Sequence, residues 1–224
     1  MRFKLLLVLL AFSAYNSFAQ DFSNKGKEFW LAYSYHVGMS GGANNAPTMT
    51  LYLTSDVNTT YTVEIFGVTT VATGNILANQ VVNLNIPTNY FINNEGLFTD
   101  RAIRVTSAAP IVVYSYITRS AASGATLCLP VNVLGREYLS ANFTQLSNEN
   151  NSNSYFTIVA VEDNTTVEIT PAGTTKNGWL AGQTYTVSLN KGQIYQVLGA
   201  LTPGNNLAGV DLTGSRIRSI SSST

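Results

Sequence analysis

From its early residues to its end the chain alternates between short runs of Val, Ile, Thr and Tyr and clusters of Gly, Asn, Asp and Pro. The runs "TMTLYLTS", "TYTVEIFG", "VVNLNIP", "AIRVTS", "PIVVYSYIT", "SYFTIVAVE", "TTVEITP", "TYTVSLN" and "QIYQVL" are of strand length, and several carry apolar residues at every second position. β-Branched and aromatic side chains suit a pleated surface, and a period of two turns one face inward. The intervening clusters supply turns, and no helical period of any length breaks the series. Such a chain buries its apolar faces sheet against sheet, which predicts an all-β fold of antiparallel sandwich-like or barrel type.

The chain also answers itself. Gly26-Lys27-Glu28-Phe29 returns as Gly135-Arg136-Glu137-Tyr138, and Asn58-Thr59-Thr60 returns as Asn164-Thr165-Thr166. Each "NTT" leads into Val-Glu-Ile, at 63–65 and 167–169, and then into Asn-Leu-Asn at 83–85 or Ser-Leu-Asn at 188–190. Ile103-Arg104 is echoed by Ile217-Arg218. The pattern predicts two tandem modules, 20–134 and 135–224. After Ile103-Arg104 at least two more strands follow, whereas only "SISSST" follows Ile217-Arg218. By the repeat, the second module is truncated at its C-terminal end and continues for roughly 25 to 40 residues more, with further domains of the same chain expected beyond.

The first residues have a different character. Arg2 and Lys4 precede an apolar run over 5–12, and Ser17-Phe18-Ala19 forms a small-x-small cleavage site before Gln20. The run is shorter than the roughly 20 residues that span a bilayer, so residues 1–19 read as a removable signal peptide and the mature protein as secreted or cell-surface, without membrane insertion. Charged residues make up 11% of the chain with zero formal net charge, while nucleic-acid binders cluster Lys and Arg. Nucleic acid is therefore excluded as a partner class. Asn58, Asn142, Asn150 and Asn164 begin N-x-[ST] patterns, acceptors in a eukaryotic secretory pathway.

Chemistry-bearing residues are few. Gly38-Met39-Ser40-Gly41-Gly42 spells G-x-S-x-G, with the single histidine, His36, just before it. A nucleophile elbow needs a helix after the serine and a histidine later in the chain. Here "GGANNAPT" follows Ser40 and no later histidine exists, so the stretch reads as a glycine-rich loop. Cys128, the single cysteine, lies in "ATLCLPV" and is expected to be a buried structural thiol. Asp56 and Glu162-Asp163 stand at strand ends, one histidine and one cysteine make no zinc site, and no calcium-loop pattern occurs. No catalytic residue, metal or cofactor is expected. Trp30, in "EFWLAY", reads as core; Arg216 and Arg218 share a strand face and read as solvated. Trp179, in "TTKNGWLAGQ", is the one candidate ligand-binding residue, with burial over the sandwich end as its competing role.

Taken together, "GKEFWLAY", "AIRVTSAAPIVVYSY", "LCLPVNVLGREY", "SYFTIVAVEDNTTVEITPAG", "GQTYTVSLNKGQIYQV" and "DLTGSRIRS" resemble the N-terminal domain of the IgG Fc-binding protein family, a domain also found in exported proteins of Bacteroidota. The resemblance implies an extracellular, β-rich, non-enzymatic module of adhesion or recognition. The expected function is therefore binding of an extracellular protein or a glycan. Two alternatives stand beside it: a carbohydrate-active enzyme or its accessory module, and a structural spacer of a larger surface protein.

Overall fold

The computed structural model describes residues 23–39, 47–120, 122–142 and 146–221. The expected signal peptide and Ser40 lie outside the described residues. The fold is all-β and antiparallel throughout. Its strands in chain order are β1 (Gly26–Leu31), β2 (Thr48–Thr54), β3 (Thr59–Ile65), β4 (Thr69–Ile76), β5 (Val81–Ile86), β6 (Gly96–Phe98), β7 (Ile103–Arg119) and β8 (Ala122–Cys128). They continue as β9 (Glu137–Leu139), β10 (Tyr155–Val159), β11 (Thr165–Thr170), β12 (Tyr185–Leu189), β13 (Ile194–Leu198), β14 (Leu201–Thr202), β15 (Asn205–Gly209) and β16 (Arg216–Ser221).

The 17-residue strand β7 organises the first array. Its first part lies between β3 and β1, with Val105 opposite both Val63 and Phe29. Its second part lies between β2 and β8, with Val113 opposite Leu53 and Cys128. The change of partners falls at Ala108-Ala109-Pro110, where proline has no N–H to give a ladder. The groups left over are taken by the β2–β3 turn: Ser55 Oγ donates to the Pro110 carbonyl at 3.0 Å, and the Ala109 N–H donates to Thr59 Oγ1 at 2.8 Å. With β4 outside β3 and β5 outside β2, the sheet curls on itself. It encloses Phe29, Met49, Leu51, Val63, Ile103 and Ile111 among others, a contiguous apolar core.

The second array is built of two sheets that stay separate. One runs β12-β11-β16-β9, the other β10-β13-β6, and a small hairpin pairs β14 with β15. Between the two sheets lie Val167, Ile169, Leu189, Val197, Leu212 and Ile217. Registers recur between the arrays. Glu64 faces Arg104 and Ile65 faces Ile103 across β3 and β7; Glu168 faces Arg218 and Ile169 faces Ile217 across β11 and β16. The Asn-Leu-Asn and Ser-Leu-Asn stretches do not correspond in this way. Residues 83–85 lie in β5, paired to β2, whereas Ser188 and Leu189 lie in β12, paired to β11. The stretch "GVTTVATGNILANQ" carries β4, because its β-branched Thr69, Thr70, Val71 and Thr73 lie beside β3.

The two arrays are joined by more than a linker. Strand β6, which precedes β7 in sequence, pairs with β13, Leu97 opposite Tyr195. A third apolar cluster, Trp30, Ile92, Ala102 and Ile194, with Phe66, Val159 and Val161 against it, fills the junction. Gly192 has φ +77° there, and any Cβ would stand 2.3 Å from Phe66 Cδ1, so only glycine fits. A buried amide ties the junction: Gln196 Oε1 accepts from the Tyr35 N–H at 2.9 Å and from Thr157 Oγ1 at 3.1 Å, while its Nε2 donates to the Asn94 carbonyl at 2.7 Å.

Candidate binding groove

The described residues form a groove of about 530 Å³ where the two arrays and the two sheets of the second array meet. One wall is β10, with Phe156 and Ile158; the other is the segment from Val131 through β9, with Leu134 and Tyr138; Trp30 and Ile217 also line it. The wall segment follows Pro130 as a single 3-10 turn, Val131–Val133, then turns through Gly135 into β9. Ser219 N–H donates to the Arg136 carbonyl at 2.8 Å, which ties this wall to β16, and the Gly135 N–H donates to Tyr138 Oη at 2.6 Å, which holds the phenol over the turn. Leu134 and Tyr138 remain exposed beside Leu139 and Leu129, so the apolar lining continues onto the surface.

The lining side chains bear on what the groove can do. Its hydroxyls are engaged by the fold: Ser140 Oγ donates to the Leu212 carbonyl at 2.6 Å, Thr165 Oγ1 to the Glu162 carbonyl at 2.8 Å, and Thr157 Oγ1 to Gln196. Arg136 and Glu162 are the charged side chains that line it. An apolar floor with few charges suits desolvation of an apolar partner surface.

Of the residues singled out in the sequence, Trp30 and Glu162 line the groove, and the others fall elsewhere. Trp179 lies half-buried at the other side of the second array, stacked on Tyr185 at 4.5 Å and parallel to Tyr195 at 5.6 Å. Its loop is pinned: the Trp179 N–H donates to Thr175 Oγ1 at 3.1 Å, the Leu180 N–H to Tyr185 Oη at 2.8 Å, and the Asn177 N–H to Glu95 Oε2 at 2.7 Å. Burial pushes the Glu95 carboxyl above its ordinary range, against the pull of that N–H and of Lys176. Trp30 is buried as expected, edge-on to Phe66 at 4.8 Å and flanked by Arg104 and Lys191, each 5.6 Å from its ring centre.

His36 accepts at Nδ1 from the Gly38 N–H at 3.2 Å, and burial lowers its basicity. It is followed by a single 3-10 turn, Val37–Met39, and the rest of the motif, from Ser40, lies outside the described residues. Cys128 is buried in β8, its thiol pushed up by desolvation, as a structural thiol should be. Asp56 pairs with Lys25, and Asp163 Oδ1 accepts from the Lys191 N–H at 3.0 Å, the turn roles expected of them. Arg216 and Arg218 lie on a solvated strand face as expected, and there they are ion-paired with Glu137 and Glu168. Among the described residues no three His, Cys, Asp or Glu side chains come together. Sequence reasoning missed the groove; the signal was "VNVLGREYL", whose apolar residues follow neither a strand nor a helix period.

Residues 124–223 match the family model described as IgGFc binding protein, from within β8 to just beyond the last described residue. The match covers a little under half of the chain and includes the groove-lining residues from Val131 to Ser219, but not Trp30. Neither the curated proteins nor the solved structures give a match. No helix among the described residues is long and apolar enough to cross a membrane.

Proposed function

We propose that this chain is an exported, non-enzymatic binding module, two copies of one β unit in tandem, that takes an extracellular protein in the groove between them. The observation that carries the proposal is the groove itself, an apolar cleft whose hydroxyls are committed to the fold and whose apolar lining spreads onto exposed Leu134, Tyr138 and Leu139. The matched family is described by a protein ligand, immunoglobulin Fc, and its model spans the groove residues from Val131 to Ser219. The exposed apolar Leu134, Tyr138 and Leu139 around the groove favour a polypeptide surface over a polar glycan.

The test is surface binding of the mature chain to a panel of immunoglobulin Fc, mucin, other secreted proteins and glycans, repeated with Leu134→Asp and Tyr138→Ala. The expected result is saturable binding to at least one protein, weakened tenfold or more by both variants, as central interface residues of ~2 kcal/mol do. Binding that is indifferent to both variants would remove the groove from the function. Ester or glycoside hydrolysis that disappears in Ser40→Ala would make the chain an enzyme. Export is checked separately by the N-terminal residue of the secreted product, expected to be Gln20.

A further inference from the structure

The outward face of β5, β2, the second part of β7 and β8 differs in chemistry from the other outward faces of the molecule. On the inner side of these four strands Met49, Leu51, Leu53 and Val113 enter the core. Side chains alternate along a strand, so the residues between them point to solvent. The registers set those residues in rows: Tyr52 lies between Asn83 and Tyr114, and Thr50 lies between Asn85 and Tyr116. Leu127 and Ala125 of β8 extend the two rows. Tyr114 is 42% exposed, and Tyr52 and Tyr116 are half-buried.

Among the described residues of these strands, none that points outward is charged. Elsewhere the outward faces carry ion pairs: Arg104 with Glu28 and Glu64 on β7, β1 and β3, and Arg218 with Glu168 and Arg216 with Glu137 on β16, β11 and β9. The phenols differ as well. Tyr33, Tyr35, Tyr138 and Tyr185 have a backbone group on Oη. The Oη atoms of Tyr52, Tyr114 and Tyr116 and the Asn83 amide have no hydrogen-bond partner among the described residues. Asn85 accepts from Thr50 Oγ1 at 3.0 Å through Oδ1, which leaves its Nδ2 open. Three rings partly in water on one charge-free face, with their hydroxyls unspent, are suited to contact with a ligand.

We infer that this face is a second binding site, for a neutral, soluble polysaccharide chain, separate from the groove, which none of these residues lines. A sugar ring presents C–H faces and hydroxyls together: the C–H faces stack on the phenol rings, and the hydroxyls take the open Tyr Oη atoms, the Asn83 amide and Asn85 Nδ2. The absence of charge selects a neutral ligand, because an anionic glycan is recognised by a cation opposite it. A protein interface is centred on a desolvated apolar core, whereas the exposed apolar side chains here, Val81 and Leu127, lie on opposite outer strands of the face. Tyr114 and Tyr116, about 7 Å apart along one strand, offer one ring each to neighbouring sugars. The rings of Tyr52 and Tyr116 stand 6.3 Å apart and inclined by 64°, so a flat crystalline surface cannot lie on both, while a soluble chain that turns between sugars can.

The test is isothermal titration of the mature full-length chain with three neutral polysaccharides, hydroxyethyl cellulose, glucomannan and dextran, and one anionic polysaccharide, polygalacturonate. The expected result is saturable binding of at least one neutral polysaccharide, little changed by added salt, weakened about tenfold or more by Tyr114→Ala and by Tyr116→Ala, and unchanged in Leu134→Asp. Tyr114→Phe and Tyr116→Phe keep the rings and remove only the open hydroxyls, so each is expected to weaken binding less than its alanine counterpart. The phenylalanine pair together with Asn83→Ala decides the question if an alanine variant fails to fold. Binding of no neutral polysaccharide, binding of polygalacturonate alone, or affinity indifferent to all of these variants overturns the inference. A protein ligand that is lost in Tyr114→Ala and kept in Leu134→Asp makes the face a protein interface and overturns it equally. Because Leu134→Asp probes the groove alone, failure of one site does not imitate failure of the other.

Discussion

Arg218 donates from both Nε, at 3.1 Å, and Nη2, at 2.5 Å, to Oε2 of Glu168 on the neighbouring strand, and Arg104 meets Glu64 at 3.3 Å in the same register of the first array. The two pairs differ in surroundings. Arg104 also donates to Glu28 at 2.9 Å and lies over Trp30, whereas Arg218 is more exposed. Exposed pairs are screened and contribute little. Arg218→Ala is therefore expected to cost about 0.5 kcal/mol, and Arg104→Ala about 1–2 kcal/mol through its second carboxylate and the indole. Urea titration of both variants checks this, and equal costs would show that the additional partners add nothing.

Gln196, fully buried, holds the Tyr35 N–H and the Asn94 carbonyl at the junction. Gln196→Leu strands both groups away from water and is expected to cost about 2–4 kcal/mol. Because β6 pairs with β13 and the junction has its own apolar cluster, calorimetry of the mature chain should give one cooperative transition. Two separated transitions would show that the arrays fold independently.

Glu95 yields a pH signature. Its carboxyl is raised by burial above an ordinary value of 4.5, so the folded state holds the proton more tightly than the unfolded chain. Stability attached to that proton is present below about 4.5 and is lost as pH rises through the higher folded-state value. Glu95→Gln, neutral at every pH and still able to accept from the Asn177 N–H, should melt about 2–4 °C above the parent at pH 7. The difference should vanish near pH 4. A gap that persists unchanged at low pH would mean that the carboxylate charge is not its cause.

Trp179 packs against Tyr185 and Tyr195 and closes one side of the second core. Trp179→Ala is expected to lower stability by about 2–3 kcal/mol and to leave binding at the groove unchanged. A variant that keeps its melting temperature but loses a ligand would make the indole a contact residue instead.

Cys128 should be silent to a thiol reagent in the native chain and react on unfolding, since burial holds it as the neutral thiol. Labelling kinetics with and without urea measure this directly, and rapid native labelling would show that β8 detaches from β7.

What the sequence determined by itself is the local part of the fold. Alternation of β-branched and apolar residues made the strands, Gly and Asn made the turns, and the twin Val-Glu-Ile and Ile-Arg segments took the same pairing in both arrays, because register follows the inward-facing side chains. Cys128 and Trp30 were legible as buried because each stands in an apolar strand segment with no polar role to fill. Ion pairing of Arg216 and Arg218 was not legible, since their carboxylates lie 79 and 50 residues away along the chain.

Tertiary structure alone decided the groove. It forms where β10, the 131–139 segment and Trp30 come together, pieces whose spacing in sequence has no period to read. It decided Trp179 as well, because whether an indole in a loop turns outward or stacks depends on Tyr185 and Tyr195, which two different sheets deliver beneath it. And it decided that β6 would leave its neighbours in sequence for β13, since a strand of three residues carries too little pattern to choose its own partner and takes the edge that the packing of the two arrays offers.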